Sequence, residues 1–281
     1  MARAGHSHHF SVANHLPGHK PPPLSLQLDA VVLLSRSGKT RHGTWRGYDM
    51  RILFVTLMIA CVVVGCGPYP GAPAAEPTQS LSIELPSVRA DGVVSVERAL
   101  MQRRSVREFS EGFLEMQAAA QLLWAAQGIT ADWGGRTAPS AGALYPLTVH
   151  MVVSQVDGLD AGLYRYLPES HRVSLVRHGE LTDDLAQAAL EQESIRHAAA
   201  ILVLTAEYER TTAKYGERGI RYVHLEAGHA AQNVCLQATA LELGGVVVGA
   251  FDDEAVRRFL GVSADETPLY LIPVGLPAAT L

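Results

Sequence analysis

The sequence predicts an α+β fold, because helical and strand patterns follow one another without regular alternation. A continuous apolar run at residues 199–206 is typical of a buried central strand. Two short strand-like segments, 163–166 and 172–176, flank a Pro-Glu-Ser-His turn and predict a β-hairpin. A hairpin in the middle of the chain does not fit a regular doubly wound sheet, so the α+β class is favoured.

Five helices are predicted from apolar periodicity, at residues 95–104, 115–127, 181–191, 219–243 and 254–260. Ser95 is placed to cap the first helix, and Gly128 is placed to end the second. The longest helix is rich in alanine and glycine along one face, so another helix can pack close to it. Gly244-Gly245 is predicted to end this helix.

Three further strands are predicted, at residues 148–154, 246–248 and 269–274. A loop of small residues, 137–146, precedes the first of them. The sequence contains no internal repeat.

The first 80 residues differ in composition from the rest. Residues 1–49 hold many histidines and a Pro-Pro-Pro run, so we predict that they are disordered or a mis-assigned upstream extension. Residues 67–80 are rich in proline and alanine and are predicted to be a linker. One folded domain is therefore expected over residues 81–281.

Residues 50–66 resemble a bacterial lipoprotein-type signal peptide. Arg51 precedes an apolar run at 52–64 that is too short to span a bilayer, and Gly65-Cys66 follows. This pattern predicts export and lipid anchoring through Cys66 at the cell envelope, with Met50 as the true start. The alternative is a buried core segment, in which case the protein would be cytoplasmic.

Composition and motifs exclude several classes of protein. The formal net charge is -5, so we expect no nucleic-acid partner. The three cysteines form no CxxC pair, which argues against a zinc site or a disulfide framework. Dinucleotide and P-loop fingerprints are absent. Glu226 and His229 have the E-x-x-H spacing of di-iron helices, but a second such motif is lacking and we expect no metal.

Arg103, Arg104, Ser105 and Arg107 form a compact cationic group within an acidic chain. Guanidinium groups bind phosphate bidentately, so this group is a candidate site for one anion. The alternative is a solvated basic helix end, which the helix dipole also favours.

Three other segments carry candidate functional residues. The loop Pro139-Ser140-Ala141-Gly142 has small side chains and can lie against a planar ligand, or it is a plain connection. Gly249-Ala250 can present backbone N–H groups in the same way. Lys214-Tyr215 supplies an acid and a base if burial shifts their pKa values, and is otherwise part of a solvated loop.

Taken together, these motifs resemble the nitroreductase-like flavoproteins, and more narrowly their SagB-type branch, the thiazole/oxazole-forming dehydrogenases. The resemblance is carried by the Arg-Arg-Ser-Val-Arg segment and by Arg136 through Pro146. It continues through Lys214-Tyr215-Gly216, the Glu226–Asn233 segment and Val248 through Asp252. It implies a central, mainly antiparallel sheet flanked by helices, an FMN cofactor and an intertwined homodimer.

The same resemblance implies roles for individual residues. Arg103, Arg104, Ser105 and Arg107 would hold the FMN phosphate. Pro139, Ser140, Ala141 and Gly142 would contact the flavin, often from the partner subunit, and Gly249 and Ala250 would face its N5/O4 edge. Lys214 and Tyr215 would assist proton removal while FMN takes a hydride. Many relatives carry a phosphate-binding cation near Leu276, which is apolar here.

The expected function is therefore FMN-dependent removal of hydride and proton from a C–N heterocycle, of the azoline-to-azole type, in a small-molecule or peptide substrate. A lipid-anchored enzyme would lack access to cytoplasmic azolines and to NAD(P)H, so the sequence predicts the reaction class rather than the substrate. The alternatives are a nitro- or quinone-type flavin reductase with an unknown donor, and a flavin-binding module without turnover.

Overall fold

A computed structural model describes residues 81–278 of the chain. The predicted upstream extension at 1–49, the signal peptide at 50–66 and the linker at 67–80 lie outside the described residues and stay predictions. No helix within the described part is long and apolar enough to cross a membrane.

The strands of this domain form one sheet in which all the strand pairs are antiparallel, in the order β1-β5-β4-β3-β6-β8-β2, with β7 pairing to β8. The strands are β1 (Ser82–Glu84), β2 (Phe109–Ser110), β3 (Leu147–Val153), β4 (Gly162–Leu167), β5 (Arg172–His178), β6 (Ala200–Glu207), β7 (Gly244–Gly245) and β8 (Glu266–Pro277). The predicted apolar run became β6, which lies between β3 and β8 at the centre of the sheet.

Helices cover both faces of the sheet. They are α1 (Val96–Gln102), α2 (Met116–Gln127), α3 (Thr182–Ala188), α4 (Glu193–Arg196), α5 (Glu209–Tyr215), α6 (Arg218–Ala240) and α7 (Asp253–Leu260). Two of the predicted helix ends fall at the expected residues. The Ser95 side chain accepts a hydrogen bond from the Arg98 N–H at the start of α1, and Gly128 follows the last residue of α2.

The core has two halves because side chains alternate across the sheet. Met151, Leu202 and Ile272 lie side by side on neighbouring strands and pack with α2 and α6. Residues one position along, such as Val152 and Ile201, point to the other face and pack with α3 and α7. This arrangement confirms the predicted α+β class, and it places α6 across one face of the sheet.

Several predicted bounds are wrong for local physical reasons. The helix predicted at 181–191 ends at Ala188, and Leu190 and Glu191 both have a φ of 59°. The strand predicted at 246–248 forms instead at Gly244–Gly245, opposite Gly275 and Val274. The last strand is longer than predicted, because β6 and β2 pair with it along most of its length.

Candidate functional site

The arginine segment leaves α1 at Gln102 and runs beside β7. The Val106 N–H donates to the Gly245 carbonyl at 3.0 Å. A Cβ on Gly244 would lie 2.7 Å from Val106 Cγ1, so only glycine allows this close approach. The segment is thereby held against the end of α6, where Arg103 lies near the buried thiol of Cys235. Burial raises the pKa of that thiol and the arginine partly offsets the rise.

The arginine side chains differ in their hydrogen bonds and in their exposure to solvent. Arg104 Nη1 donates to the carbonyl oxygens of Met101 and Arg103, both at 2.9 Å, so this side chain caps the end of α1. Ser105 and Arg107 are exposed, and Arg103 is half-buried. Arg104 therefore combines the two interpretations of the segment, a helix-end cation and a group available to an anion.

The loop after α2 contains a 3-10 turn, Ala141–Ala143, and part of this loop has left-handed backbone. The φ angles are 65° at Gly142, 54° at Ala143 and 45° at Tyr145. Left-handed backbone costs about 1 kcal/mol at a residue with a Cβ, so the loop needs anchors. One anchor is the Tyr145 N–H, which donates to Ser140 Oγ at 2.9 Å.

A second anchor joins the loop to α6. The side-chain amide of Asn233 donates to the Thr137 carbonyl at 3.2 Å. On the other side, the guanidinium of Arg136 lies 4.7 Å from the centre of the Tyr145 ring. The loop is therefore fixed at both ends by side chains from outside it.

Lys214 and Tyr215 lie in the last turn of α5, not in a polar loop as predicted. A Cβ on Gly142 would lie 2.7 Å from the Tyr215 phenolic oxygen and 2.9 Å from Lys214 Nζ. The Lys214 ammonium lies 5.3 Å from the Tyr215 ring centre, and Tyr222 packs edge-on against the same ring. The structure thus brings the lysine–tyrosine pair and the small-residue loop together within one chain.

Gly249 and Ala250 follow Val248, which bridges to Leu271 of β8. Both are exposed, and the Ala250 carbonyl accepts a hydrogen bond from Gln192 Nε2 at 2.8 Å. Within residues 81–278, no hydrogen bond joins them to the loop or to Lys214 and Tyr215. Gly249 and Ala250 lie closer to the arginine segment. Gly245 pairs with Val106 of that segment, and Gly249 follows Gly245 by only four positions. That is about 13 Å of extended chain.

Sequence reasoning noted Glu226 for its E-x-x-H spacing with His229, from which no metal was expected, and as part of a segment that carries the family resemblance. The structure places it on α6, the helix that contacts the loop. Glu226 is 2% exposed on α6 and its Oε1 has no hydrogen-bond partner. Burial raises the pKa of its carboxyl group to about 7, although Ser140, Arg136 and Arg210 act in the opposite direction. Its position three residues after Val223 on the buried stripe of the predicted helix was the available signal.

The fold and this arrangement of candidate residues are consistent with an oxidoreductase domain. Comparison with known proteins supports this class. Residues 100–276 match the Nitroreductase family. A protein from Methanocaldococcus jannaschii described as a nitroreductase is 45% identical over 196 residues, which covers 70% of this chain and 96% of that protein. The chain belongs to the nitroreductase family, whose members usually bind a flavin.

Two further relatives differ in what they support. The crystal structure of a nitroreductase from Ralstonia eutropha has a TM-score of 0.62 and 28% identity, over 77% of this chain and 97% of that one. It confirms the nitroreductase-like fold. A trifolitoxin operon protein from Rhizobium leguminosarum bv. trifolii is 25% identical over 192 residues, 63% of this chain. The match spans about half of that relative, 54% of its length.

Proposed function

We propose that this protein is an FMN-dependent dehydrogenase of the SagB type, which removes a hydride and a proton from a C–N heterocycle in a small molecule or peptide. The observation that carries the proposal is the convergence of Lys214 Nζ and the Tyr215 phenol on Gly142. Neither group belongs to the arginine segment that would hold the flavin phosphate, so the pair is available for proton transfer to or from a substrate.

The chain's own residues fit an FMN cofactor. Exposed Ser105 and Arg107, with half-buried Arg103, offer a hydroxyl and permanent cations to a phosphate. Gly249 and Ala250 are exposed on the chain that follows Gly245, the residue that pairs with Val106 of the arginine segment, and they can face the ring system. Leu276 is apolar and contacts the position of a Cβ on Gly112, so β8 adds no cation there. The phosphate would therefore depend on the arginine segment.

In this proposal the residues divide the work of a two-electron oxidation. FMN, when bound, supplies the hydride acceptor. Tyr215 Oη as the phenolate, or Lys214 Nζ as the neutral amine, takes the proton from the neighbouring atom of the substrate and becomes protonated. One C–H bond and one further C–H or N–H bond are thereby replaced by a double bond in the ring. The Pro139–Gly142 loop fixes the distance between the proton acceptor and the substrate plane.

Similarity to the trifolitoxin operon protein supports the SagB-type branch. The higher identity to the Methanocaldococcus jannaschii protein favours a second candidate, a flavin-dependent nitro- or quinone-type reductase. In that reaction the same pair would deliver a proton instead of removing one.

One experiment separates these candidates. The purified full-length protein is denatured, and the released chromophore is identified by absorbance and chromatography. FMN is expected. The protein is then assayed with a thiazoline-containing peptide under oxygen, and separately with NADPH and a nitroaromatic compound. Oxidation of the thiazoline supports the first proposal and nitro reduction supports the second. A colourless protein that cannot be reconstituted with FMN contradicts both.

We also propose that the chain acts as a homodimer. Val96, Leu100 and Met101 on α1 are between 56% and 68% exposed, and this apolar face adjoins the arginine segment. Leu100→Glu should therefore yield monomers in sedimentation equilibrium. Val176→Glu introduces the same charge at an exposed apolar position on β5 and should leave the dimer intact. A wild-type monomer would contradict the proposal.

A further inference from the structure

The hydroxyl group of Tyr215 has no hydrogen-bond partner within residues 81–278. Other tyrosine hydroxyl groups in this part of the chain do have one, namely those of Tyr145, Tyr164, Tyr166 and Tyr208. A free hydroxyl group suits a side chain that exchanges a proton with a substrate. It also means that the position of this hydroxyl group depends on what packs against its ring.

Gly142, Lys214 and Tyr222 lie against the Tyr215 ring. Gly142 is at the hydroxyl end, where a Cβ would lie 2.7 Å from Tyr215 Oη and 3.4 Å from Cε2. Lys214 Nζ lies 5.3 Å from the ring centre. Tyr222 packs edge-on, with the two ring centres 5.2 Å apart and an angle of 88° between the ring planes. Gly142 has no side chain and Lys214 is exposed, so Tyr222 offers the rigid surface in this group.

Tyr222 is better fixed than Tyr215. Tyr222 is half-buried on α6, a helix of 23 residues, and the next residue, Val223, is fully buried in the core. Tyr215 is the last residue of α5, a helix of seven residues that ends at Gly216. The guanidinium of Arg218, one turn before Tyr222 on α6, lies 5.7 Å from the centre of the Tyr222 ring. Edge-on aromatic pairs and cations above aromatic rings both add stability beyond the area that they bury.

We propose that Tyr222 is a positioning residue whose ring holds the Tyr215 ring, and with it the Lys214 amino group, against Gly142. This inference rests on the proposed function, in which the lysine–tyrosine pair transfers the proton. Without the Tyr222 ring, the Tyr215 side chain can turn away from the loop into the space that the ring leaves. Proton transfer needs the two atoms within hydrogen-bond reach, so such a movement slows the chemical step.

The first test is single-turnover flavin reduction by a thiazoline-containing peptide, in the full-length protein with FMN bound. Tyr222→Leu should lower the limiting rate about tenfold to 100-fold, the cost of a misplacement of about 1 Å. Flavin content and the peptide concentration that gives half the limiting rate should not change. Tyr222→Phe keeps the ring and should react at the wild-type rate. In the Tyr215→Leu background, the addition of Tyr222→Leu should cause no further loss, because Tyr222 acts through the Tyr215 ring.

The second test measures the contact itself and needs neither flavin nor substrate. In deuterated full-length protein with protonated tyrosine and glycine, a nuclear Overhauser cross-peak should join the Tyr215 ring protons to the Gly142 Hα protons. Tyr215→Leu identifies this cross-peak by its loss. The cross-peak should persist in Tyr222→Phe and be weak or absent in Tyr222→Leu.

His224→Leu is the matched control. His224 of α6 and Tyr208, which precedes α5, form a second edge-on pair between the same two segments, with ring centres 5.6 Å apart. The Tyr208 hydroxyl group and His224 Nε2 are also joined by a hydrogen bond of 2.6 Å. Loss of this pair weakens the packing of α5 on α6 without removing a contact of the Tyr215 ring. The control should therefore keep both the wild-type rate and the cross-peak.

An equal loss of rate in His224→Leu or in Tyr222→Phe would overturn the proposal, and so would a cross-peak that persists in Tyr222→Leu. A further loss of rate on adding Tyr222→Leu to Tyr215→Leu would also overturn it. If Tyr222→Leu does not fold, Tyr222→Met takes its place, because a flexible methionine fills the space without a ring. Cross-peaks that behave as expected in a protein that binds no FMN would refute the proposed function and leave the ring contact intact.

Discussion

A Cβ on Gly142 would lie 2.7 Å from the phenolic oxygen of Tyr215, closer than a carbon and a non-bonded oxygen normally approach. The loop and the lysine–tyrosine pair are therefore in contact at Gly142, where only the hydrogen atom of a glycine side chain fits. Because Gly142 also has a φ of 65°, two separate constraints select glycine at this position.

Gly142→Ala should impair turnover more than it impairs stability. The added methyl group displaces the Tyr215 hydroxyl or Lys214 Nζ, and the left-handed backbone adds about 1 kcal/mol of strain. Gly261→Ala is a matched control, because Gly261 has a φ of 68° but open space around its Cβ. Both variants should lose similar free energy of unfolding in urea titration. Equal turnover in the two variants would argue against a functional contact at Gly142.

Tyr215→Phe and Lys214→Ala should lower the rate of the chemical step while leaving bound flavin unchanged. General acid–base groups typically contribute about 100-fold to 10000-fold, so a loss of that order is expected for at least one variant. Tyr222→Phe removes a phenolic hydroxyl from the neighbouring ring and serves as the control. Single-turnover flavin reduction measures the step directly. Wild-type rates in both variants would remove the pair from the mechanism.

The sequence singled out both the small-residue loop and the lysine–tyrosine pair, but it predicted neither their contact nor the helix that carries the pair. The polar character of residues 210–219 indicated a loop, whereas the structure forms α5 and turns directly into α6. Gly219 permits this turn, because its Cβ would lie 2.9 Å from the Thr212 backbone. Such packing between two helices overrides local polarity, and a single sequence does not display it.

Arg107→Ala should weaken FMN retention by about tenfold to 100-fold, the effect of losing one charge-assisted hydrogen bond. Arg107 is exposed, and Arg104 is partly occupied by carbonyl oxygens at the end of α1. Arg98→Ala removes an exposed arginine from the same helix region and should retain the wild-type affinity. Fluorescence titration of the flavin-depleted protein gives both constants. Identical values for the two variants would place the phosphate elsewhere.

Glu226 shows where sequence reasoning stops. Its spacing from His229 suggested a metal motif, yet His229 is exposed and Glu226 is buried. The position of Glu226 on the buried face of α6 could be predicted from the helical periodicity of the sequence. Ser140, one of the groups that lower the pKa of Glu226, lies 86 residues away along the chain, and only the fold brings the two near each other.

Glu266→Gln should lower the free energy of unfolding at neutral pH. It should also make that free energy fall less steeply as the pH is lowered. Burial of Glu266 favours the neutral form, but hydrogen bonds from His150 and Thr205 outweigh it and lower the pKa of its carboxyl group. His150 Nε2 lies 2.9 Å from Glu266 Oε1. A carboxyl group with a lowered folded-state pKa stabilises the fold above its unfolded value near 4.5, and this contribution is lost as pH falls through the folded value.

The variant should therefore lose on the order of 1–3 kcal/mol at pH 7 and less at pH 3. Asp265→Asn makes the same charge change at the adjacent exposed position, and its stability should follow the wild-type curve. Urea titrations from pH 3 to pH 8 report both. A constant difference between Glu266→Gln and the wild type across that range would show that the carboxyl ionisation is not coupled to folding.

Cys66 should carry a lipid in the natural host, and this decides which reaction is open to the enzyme. Metabolic labelling with a palmitate analogue should mark the wild type and not Cys66→Ser, whereas Cys61→Ser, within the apolar run, should still be labelled. Mass measurement should find a mature chain that begins at residue 66. A labelled, exported protein would have no supply of NADPH, which favours oxidation of a substrate over nicotinamide-driven nitro reduction. An unlabelled chain that retains residues 50–66 would make a cytoplasmic azoline substrate accessible.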